Sequence, residues 1–264
     1  MLELHNGRRV GHVVGLWRYP VKSMAGQALG DIDVSWNGFA GDRRWAFVRN
    51  DVVSSGFPWL TLRERADMSH YVPAFSDPQR PDKSTTVVRT PSGAVFDVTD
   101  PRLRAELGGA HLIRQDRGVF DTFPLSLIST ATIAHLGDAV GARLDVRRFR
   151  PNILVATDDA EPFAEDAWVG RVLRIGTLRL RIDKRDGRCV VITIDPDTTQ
   201  RDPSILRTVA RERQGCLGVY ASTIEPGRIA LGDALVIESG GDAEVVAPRS
   251  LAIATPLSRS SPCT

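Results

Sequence analysis

Four short segments of this 264-residue chain set anion-holding side chains against backbone punctuation, and one of them adds a thiol. Tyr19-Pro-Val-Lys-Ser-Met24 ends a strand-like run at Pro20, whose ring fixes φ. It then places an ammonium, Lys22, beside a hydroxyl, Ser23, which is the outline of a phosphate contact; the alternative is a loop with an exposed lysine. Gly41-Asp-Arg-Arg-Trp45 offers the guanidinium groups of Arg43 and Arg44 at a strand start. Arg148-Phe-Arg-Pro-Asn152 offers Arg148 and Arg150, alternating around Phe149, so an extended backbone would send both to one side. In the segment from Asp186 to Asp197, Cys189 follows a turn, adjoins Arg188 and opens an apolar run expected to be a strand buried on both faces. A thiol beside a guanidinium has its thiolate form favoured, and a thiolate is a nucleophile or a soft-metal ligand. The other reading makes Cys189 one more buried apolar residue.

Other chemistries lack their residues. His5, His12, His70, His111 and His135 are scattered, with no pair at the spacing of a helical zinc site. Gly-x-Gly-x-x-Gly after a strand, the phosphate loop ending in Gly-Lys-Ser/Thr and Gly-x-Ser-x-Gly are all missing. Cys-x-x-Cys and ferredoxin-type cysteine spacings are missing too, so the chain carries no iron–sulfur cluster of its own.

The elements that must position these groups read mostly as strands. Val10 to Tyr19 and Arg43 to Arg49 are short apolar-aromatic runs between turn residues, with a hairpin connection at 51–56. Thr85–Thr90 and Ala94–Val98 flank Pro91-Ser-Gly93, another hairpin, and Phe75–Ser84 is a polar surface loop. Residues 101–123 read as irregular and contain a domain boundary. Ile153–Ala156 is a strand, Leu178–Ile182 alternates with one wet side, and Arg228–Ile237 is expected to be the strand pair that closes a barrel. Two helices are legible. Ser129 or Thr130 caps one with Ile133, Leu136 and Val140 on a face; Asp202-Pro203 starts the other, with Ile205, Leu206 and Val209 inward. The fold class is therefore mainly β (α+β), a barrel or sandwich rather than alternating βαβ units.

Composition agrees with a folded globular protein: 42% hydrophobic and 25% charged residues supply a core, and 23 Gly with 16 Pro exclude a coiled coil. A net charge of +2 creates no field that recruits nucleic acid. Lys22, Lys83 and Lys184 are the only lysines among 34 basic residues, so an anion site here is built from planar forks. No 18-residue apolar run exists to span a membrane, and the charged N-terminus has no apolar stretch behind it. Three cysteines are too few and too odd for a disulfide framework, and the expectation is a reduced, cytoplasmic protein.

Taken in order, these segments resemble the MOSC family, the molybdenum cofactor sulfurase C-terminal domain proteins. The resemblance is to its two-part form with an N-terminal β-barrel domain, whose best-known animal members are the mitochondrial amidoxime-reducing components. It is carried by Tyr19-Pro-Val-Lys-Ser23, Gly41-Asp-Arg-Arg-Trp45, Phe149-Arg-Pro-Asn-Ile153, Ala164-Glu-Asp-Ala-Trp168, Gly187-Arg-Cys189 with Asp195-Pro-Asp-Thr198, and Gly227 to Leu235. It implies an N-terminal domain over residues 1–112, a MOSC-type β-barrel with a few peripheral helices over 113–244, and a tail over 245–264. The implied cofactor is molybdopterin carrying molybdenum. By the same resemblance Lys22, Ser23 and Arg43 hold its phosphate, Arg148, Arg150 and Asn152 frame the pterin, and Ser129 and Thr130 lie near further pterin contacts. Cys189 is then both catalytic residue and metal ligand, with Arg188 beside it. Gly187 departs from the reductase relatives, which often carry a small hydroxyl residue there, and Cys216 has no role to carry over. The implied function is a molybdenum-dependent oxidoreductase acting on small N-oxygenated molecules and fed by a separate electron-donating reductase, with no nucleic-acid or membrane partner. The alternatives are a sulfur carrier or transferase using a Cys189 persulfide, and a non-catalytic carrier of the cofactor.

Overall fold

The computed structural model describes residues 7–52 and 56–239. His5, Cys263, the tail over 245–264 and residues 53–55 of the expected hairpin connection lie outside that range. The strands in chain order are β1 (Gly7–Arg18), β2 (Gln27–Ala28), β3 (Asp31–Ser35), β4 (Gly38–Phe39) and β5 (Trp45–Val48). Then follow β6 (Val72–Phe75), β7 (Thr86–Arg89), β8 (Val95–Asp97) and β9 (His111–Arg114). The rest are β10 (Leu125–Ser129), β11 (Ile153–Thr157), β12 (Val172–Ile175), β13 (Leu178–Gly187), β14 (Cys216–Glu225), β15 (Gly227–Ala230) and β16 (Ala234–Glu238). Three α-helices, α1 (Pro101–Glu106), α2 (Thr130–Val140) and α3 (Pro203–Arg213), and four short 3-10 turns are the helical elements among the described residues.

Seven strands close a barrel in the order β11-β10-β14-β13-β12-β16-β1, with β1 pairing back onto β11. Every pair is antiparallel except β10–β11, and that parallel pair requires the crossover that α2 supplies. The inward side chains, among them Val13, Leu127, Val155, Leu173, Leu180 and Val219, form one apolar core. β1 belongs to the N-terminal stretch of sequence yet is the stave that closes the barrel, pairing β16 on one side and β11 on the other. It bends to do so through two register shifts, and Gly11 lies so close to β11 that a Cβ there would meet the Ala156 carbonyl oxygen at 2.3 Å.

A second core gathers Val21, Met24, Phe47, Leu60, Met68, Tyr71 and Leu103 from the short sheets β5–β9 and β6–β7–β8 and the segments around them. A third lies where α2 and α3 cover the barrel and includes Ile133, Leu136, Phe149, Ile192, Ile205 and Val209.

Three expectations are corrected. Val190–Ile194 is not a buried strand: Val190–Thr193 is a 3-10 turn, because Ile192 packs into the helix-side core while Ile194 packs into the N-terminal one. One short segment serving two cores cannot lie flat in a sheet. Arg228–Ile237 is not a paired hairpin either; β15 pairs β3, whereas β16 pairs β1 and β12, and the corner at Leu231–Gly232 divides them. The stretch read as irregular contains α1, capped by Asp100, whose side chain accepts from the Arg102 amide, with Pro101 at the first turn.

Candidate functional site

The turn that links the two cores also fixes the thiol. β13 ends at Gly187, paired with Cys216 at the start of β14, and Cys189 is the extended residue just before the 3-10 turn. Cys189 is therefore held at the seam between the N-terminal sheets and the barrel, half-buried and a free thiol. A cavity of ≈ 380 Å³ opens there. Lys22, Ser23, Arg43, Arg148, Arg150, Asn152, Arg188 and Cys189 all line it, from segments far apart in sequence.

Backbone strain turns three of these groups inward. Ser23, Arg43 and Arg150 have φ of 68°, 48° and 50°, left-handed values that non-glycine residues adopt only when the surroundings require it. Arg148 ends a short 3-10 turn and Phe149 is helical and buried, so Arg148 and Arg150 do not alternate along an extended chain as expected. The reversal at Arg150 brings its guanidinium back over the Tyr19 ring, with Cζ 4.3 Å from the centroid. The Arg43 guanidinium lies 4.6 Å from the same ring. Burial pushes the Tyr19 phenol up to about 12, and its hydroxyl donates to the Pro151 carbonyl at 3.1 Å.

The cations differ in how fully they are paired. Arg43 donates to Asp42 and, at 3.4 Å, to the Arg150 carbonyl. Asp42 is fully buried and also accepts from the Tyr19 amide at 2.6 Å and the Asn152 side-chain amide at 3.0 Å. Arg148 is committed to the thiol's turn, donating to the Thr193 carbonyl at 3.1 Å and to Asp195 at 2.6 Å. Lys22 donates to the Val119 carbonyl at 3.1 Å and pairs with Asp121. Burial pushes the Lys22 ammonium below its usual range, with Asp121 opposing. Arg150 forms no ion pair among the described residues, and burial, reinforced by the Arg43 charge, lowers its guanidinium to about 10. Arg150 Nη2, Arg188 Nη2 and Arg148 Nε are buried without a hydrogen-bond partner.

The Arg188 guanidinium is taken up by other partners. It is held by Asp186 at 3.0 Å, the Leu217 carbonyl at 2.7 Å and the Phe149 carbonyl at 2.9 Å. Gly218 makes room for it with φ of +73°, and a Cβ there would stand 3.2 Å from Arg188 Nη2. The guanidinium that shares the cavity wall with Cys189 and is raised by its charge is Arg63, stacked on Phe57 at 4.6 Å. Sequence reasoning missed Arg63, because its segment carries no glycine or proline landmark next to it and Cys189 lies in the other half of the chain. It also missed Asp186, a buried carboxylate on the cavity wall whose carboxyl is pushed up by burial. Of the two arginines at 43 and 44, only Arg43 reaches the cavity; Arg44 pairs with Asp82 at 2.7 Å.

Ser129 and Thr130 are not among the residues that line this cavity. Ser129 is fully buried and caps α2, its side chain accepting from the Thr132 amide at 3.1 Å. Its own amide donates to Glu165, a buried carboxylate that also accepts from Thr132. Thr130 is exposed and lines a separate hollow along α2. No three-residue cluster of His, Cys, Asp or Glu able to hold a metal ion occurs among the described residues, so Cys189 is the only protein group in the cavity suited to a soft metal.

Comparison with known proteins places the two halves. Residues 10–102 match the family model of the MOSC N-terminal beta barrel domain, and residues 114–236 match that of the MOSC domain. Human mitochondrial amidoxime-reducing component 1 is 31% identical over 128 residues, 43% of this chain and 36% of that protein. The molybdenum cofactor sulfurase of Caenorhabditis briggsae is 25% identical over 248 residues, 82% of this chain and 34% of that protein. The chain thus spans about a third of the length of either relative. Among solved structures, the YuaD protein of Bacillus subtilis aligns with a TM-score of 0.49 at 14% identity, covering 88% of this chain and 98% of that one.

Proposed function

The chain belongs to the MOSC family, carrying its N-terminal beta barrel domain and its MOSC domain in series, and on that premise we propose that the cavity binds the molybdenum cofactor for reduction of small N-hydroxylated molecules. The observation that carries this reading is Arg150: a guanidinium without an ion-pair partner among the described residues, one nitrogen buried and unbonded, aimed into a cavity that also holds a free thiol. A buried cation left in that state asks for an anion with several acceptors.

The donor set fits the group. Lys22, Ser23 and Arg43 would hold its phosphate, Arg150 and Arg188 present unfilled N–H groups to its pterin, and Cys189 would give its sulfur to the metal. When bound, the cofactor supplies the two-electron chemistry that takes oxygen from an N–OH compound and releases the amine or amidine. The chain's own residues do the rest. Arg63 stands on the same wall as the Cys189 thiol, and Phe57 and Phe123 add apolar surface beside it. Asp186, held by Arg188 and pushed up by burial, is a carboxyl able to keep a proton on the cavity wall. Electrons would come from a separate reductase, and the reaction would take place in the cytoplasm.

The test is production in a host that builds the cofactor, followed by assay with a hydroxylamine or amidoxime and a chemical electron donor. Turnover that disappears in Cys189→Ala supports the reading. Bound molybdenum without turnover favours a carrier. The alignment with a molybdenum cofactor sulfurase along 82% of the chain favours a second reading, sulfur transfer through a Cys189 persulfide, which predicts sulfane sulfur on the protein and no molybdenum.

A further inference from the structure

We propose that Asp121 is a built-in counter-anion, and that residues 115–124 are a strap which an incoming phosphate must displace. The proposal rests on the reading of Lys22 as the phosphate end of the site and adds how that end is kept until a ligand arrives.

The strap runs from the end of β9 to the start of β10, at the beginning of the residues that match the MOSC domain. It is fastened on both sides of Asp121. The Gln115 amide donates to the Arg44 carbonyl at 2.9 Å and the Val119 amide to the Arg43 carbonyl at 2.8 Å, with Val119 itself buried. Farther along, the Phe123 ring packs 5.9 Å from that of Tyr220. Between these anchors Asp121 reaches down to pair with Lys22, and its second oxygen lies 3.9 Å from Arg63.

The two members of the Lys22 pair are not equivalent. The Lys22 side chain is 7% exposed and that of Asp121 is 45% exposed. Asp121 can move out and regain water at small cost, as surface ions do. Lys22 cannot follow and must keep an anion beside it, because a buried charge left unpaired is expensive. A phosphate brings two charges and several acceptor oxygens to the same ammonium, and it cannot share that place with a carboxylate of like sign. Asp121 therefore satisfies Lys22 in the empty protein and leaves when phosphate arrives. Since Asp121 also faces Arg63, its release frees a second guanidinium on the cavity wall that holds Cys189.

The experiment uses the full chain without cofactor and inorganic pyrophosphate as the probe, with binding measured by calorimetry and strap opening by amide hydrogen exchange. Asp121→Asn keeps an oxygen for Lys22 but removes the charge, and it is expected to bind pyrophosphate at least fivefold tighter than the wild type. Adding pyrophosphate to the wild type is expected to speed exchange across 116–124. Asp116→Asn, on the same strap but paired with Arg44 and Arg114, is expected to change affinity by less than twofold. If Asp121→Asn binds no tighter, if Asp116→Asn tightens binding equally, or if exchange in the strap slows on binding, the strap inference is wrong. Lys22→Met separates that failure from failure of the site itself: it must abolish binding, and if it binds as the wild type does, the phosphate end lies elsewhere and both readings fall.

Discussion

The Arg150 guanidinium rests on the Tyr19 ring, 4.3 Å from its centroid, and Arg43 shares that ring at 4.6 Å. Two like charges are thereby held side by side by the negative face of one buried aromatic, with Asp42 compensating only the second. Tyr19→Leu removes this common support and is expected to cost about 2–4 kcal/mol and to loosen both guanidinium groups. Tyr19→Phe loses only the hydroxyl bond to Pro151, about 1 kcal/mol. Thermal unfolding of the two variants gives the comparison, and equal midpoints would remove the ring from the account.

Asn152 links the barrel to the cavity floor. Its side-chain nitrogen donates to Asp42 and the Trp17 carbonyl, and its oxygen accepts from the Ser126 amide at 3.2 Å. Asn152→Ala leaves these groups unpaired at a cost of about 1–3 kcal/mol. Asn152→Asp is expected to be worse, because it sets a second carboxylate against Asp42. Urea unfolding orders the three proteins, and an aspartate variant more stable than the alanine one would contradict the network.

Ser129 caps α2 and does not line the cavity. Ser129→Ala is expected to lower stability by about 1 kcal/mol, the usual cost of a lost cap, while cofactor content stays unchanged. Reduced molybdenum in a folded Ser129→Ala protein would return that residue to the site.

Glu165 gives the protein a pH dependence with a definite sign. Burial raises its carboxyl above the usual range, so the native state holds a proton that the unfolded chain has released. Its contribution is fully present below the unfolded value near 4.5 and is lost as pH rises through the native value. Glu165→Gln is expected to flatten that decline in unfolding free energy while preserving an acceptor for Ser129 or Thr132. A wild type whose stability climbs across the same range by as much as the glutamine variant's would refute the assignment.

Much of this arrangement was legible where one residue governs its own neighbourhood. Asp202-Pro203 and Ser129 announced α3 and α2 because caps act within three residues, and the same Asp-Pro signal at 100–101 announced α1 and was passed over amid glycine-rich surroundings. The alternation in Leu178–Ile182 gave a strand with one wet face because a pleat repeats every two residues. What sequence could not supply were relations set by packing at a distance. Val190–Ile194 reads as a strand by composition and becomes a turn because its two isoleucines belong to different cores. Arg188 adjoins Cys189 in sequence, yet Asp186 and two carbonyls take up its guanidinium, and Arg63, distant in sequence, shares the cavity wall with the thiol. Eight residues that line the cavity are legible as separate segments; that Arg150 among them has no ion-pair partner among the described residues emerges only once they are assembled.

The central claim is that the cavity takes an anionic cofactor whose metal is gripped by Cys189. Its most direct test is the molybdenum and pterin content of wild-type and Cys189→Ala proteins purified side by side from a cofactor-producing host. The account predicts near one molybdenum and one pterin per wild-type chain, with molybdenum largely lost from folded Cys189→Ala. A wild type devoid of both, or an alanine variant that keeps its full molybdenum, would contradict it.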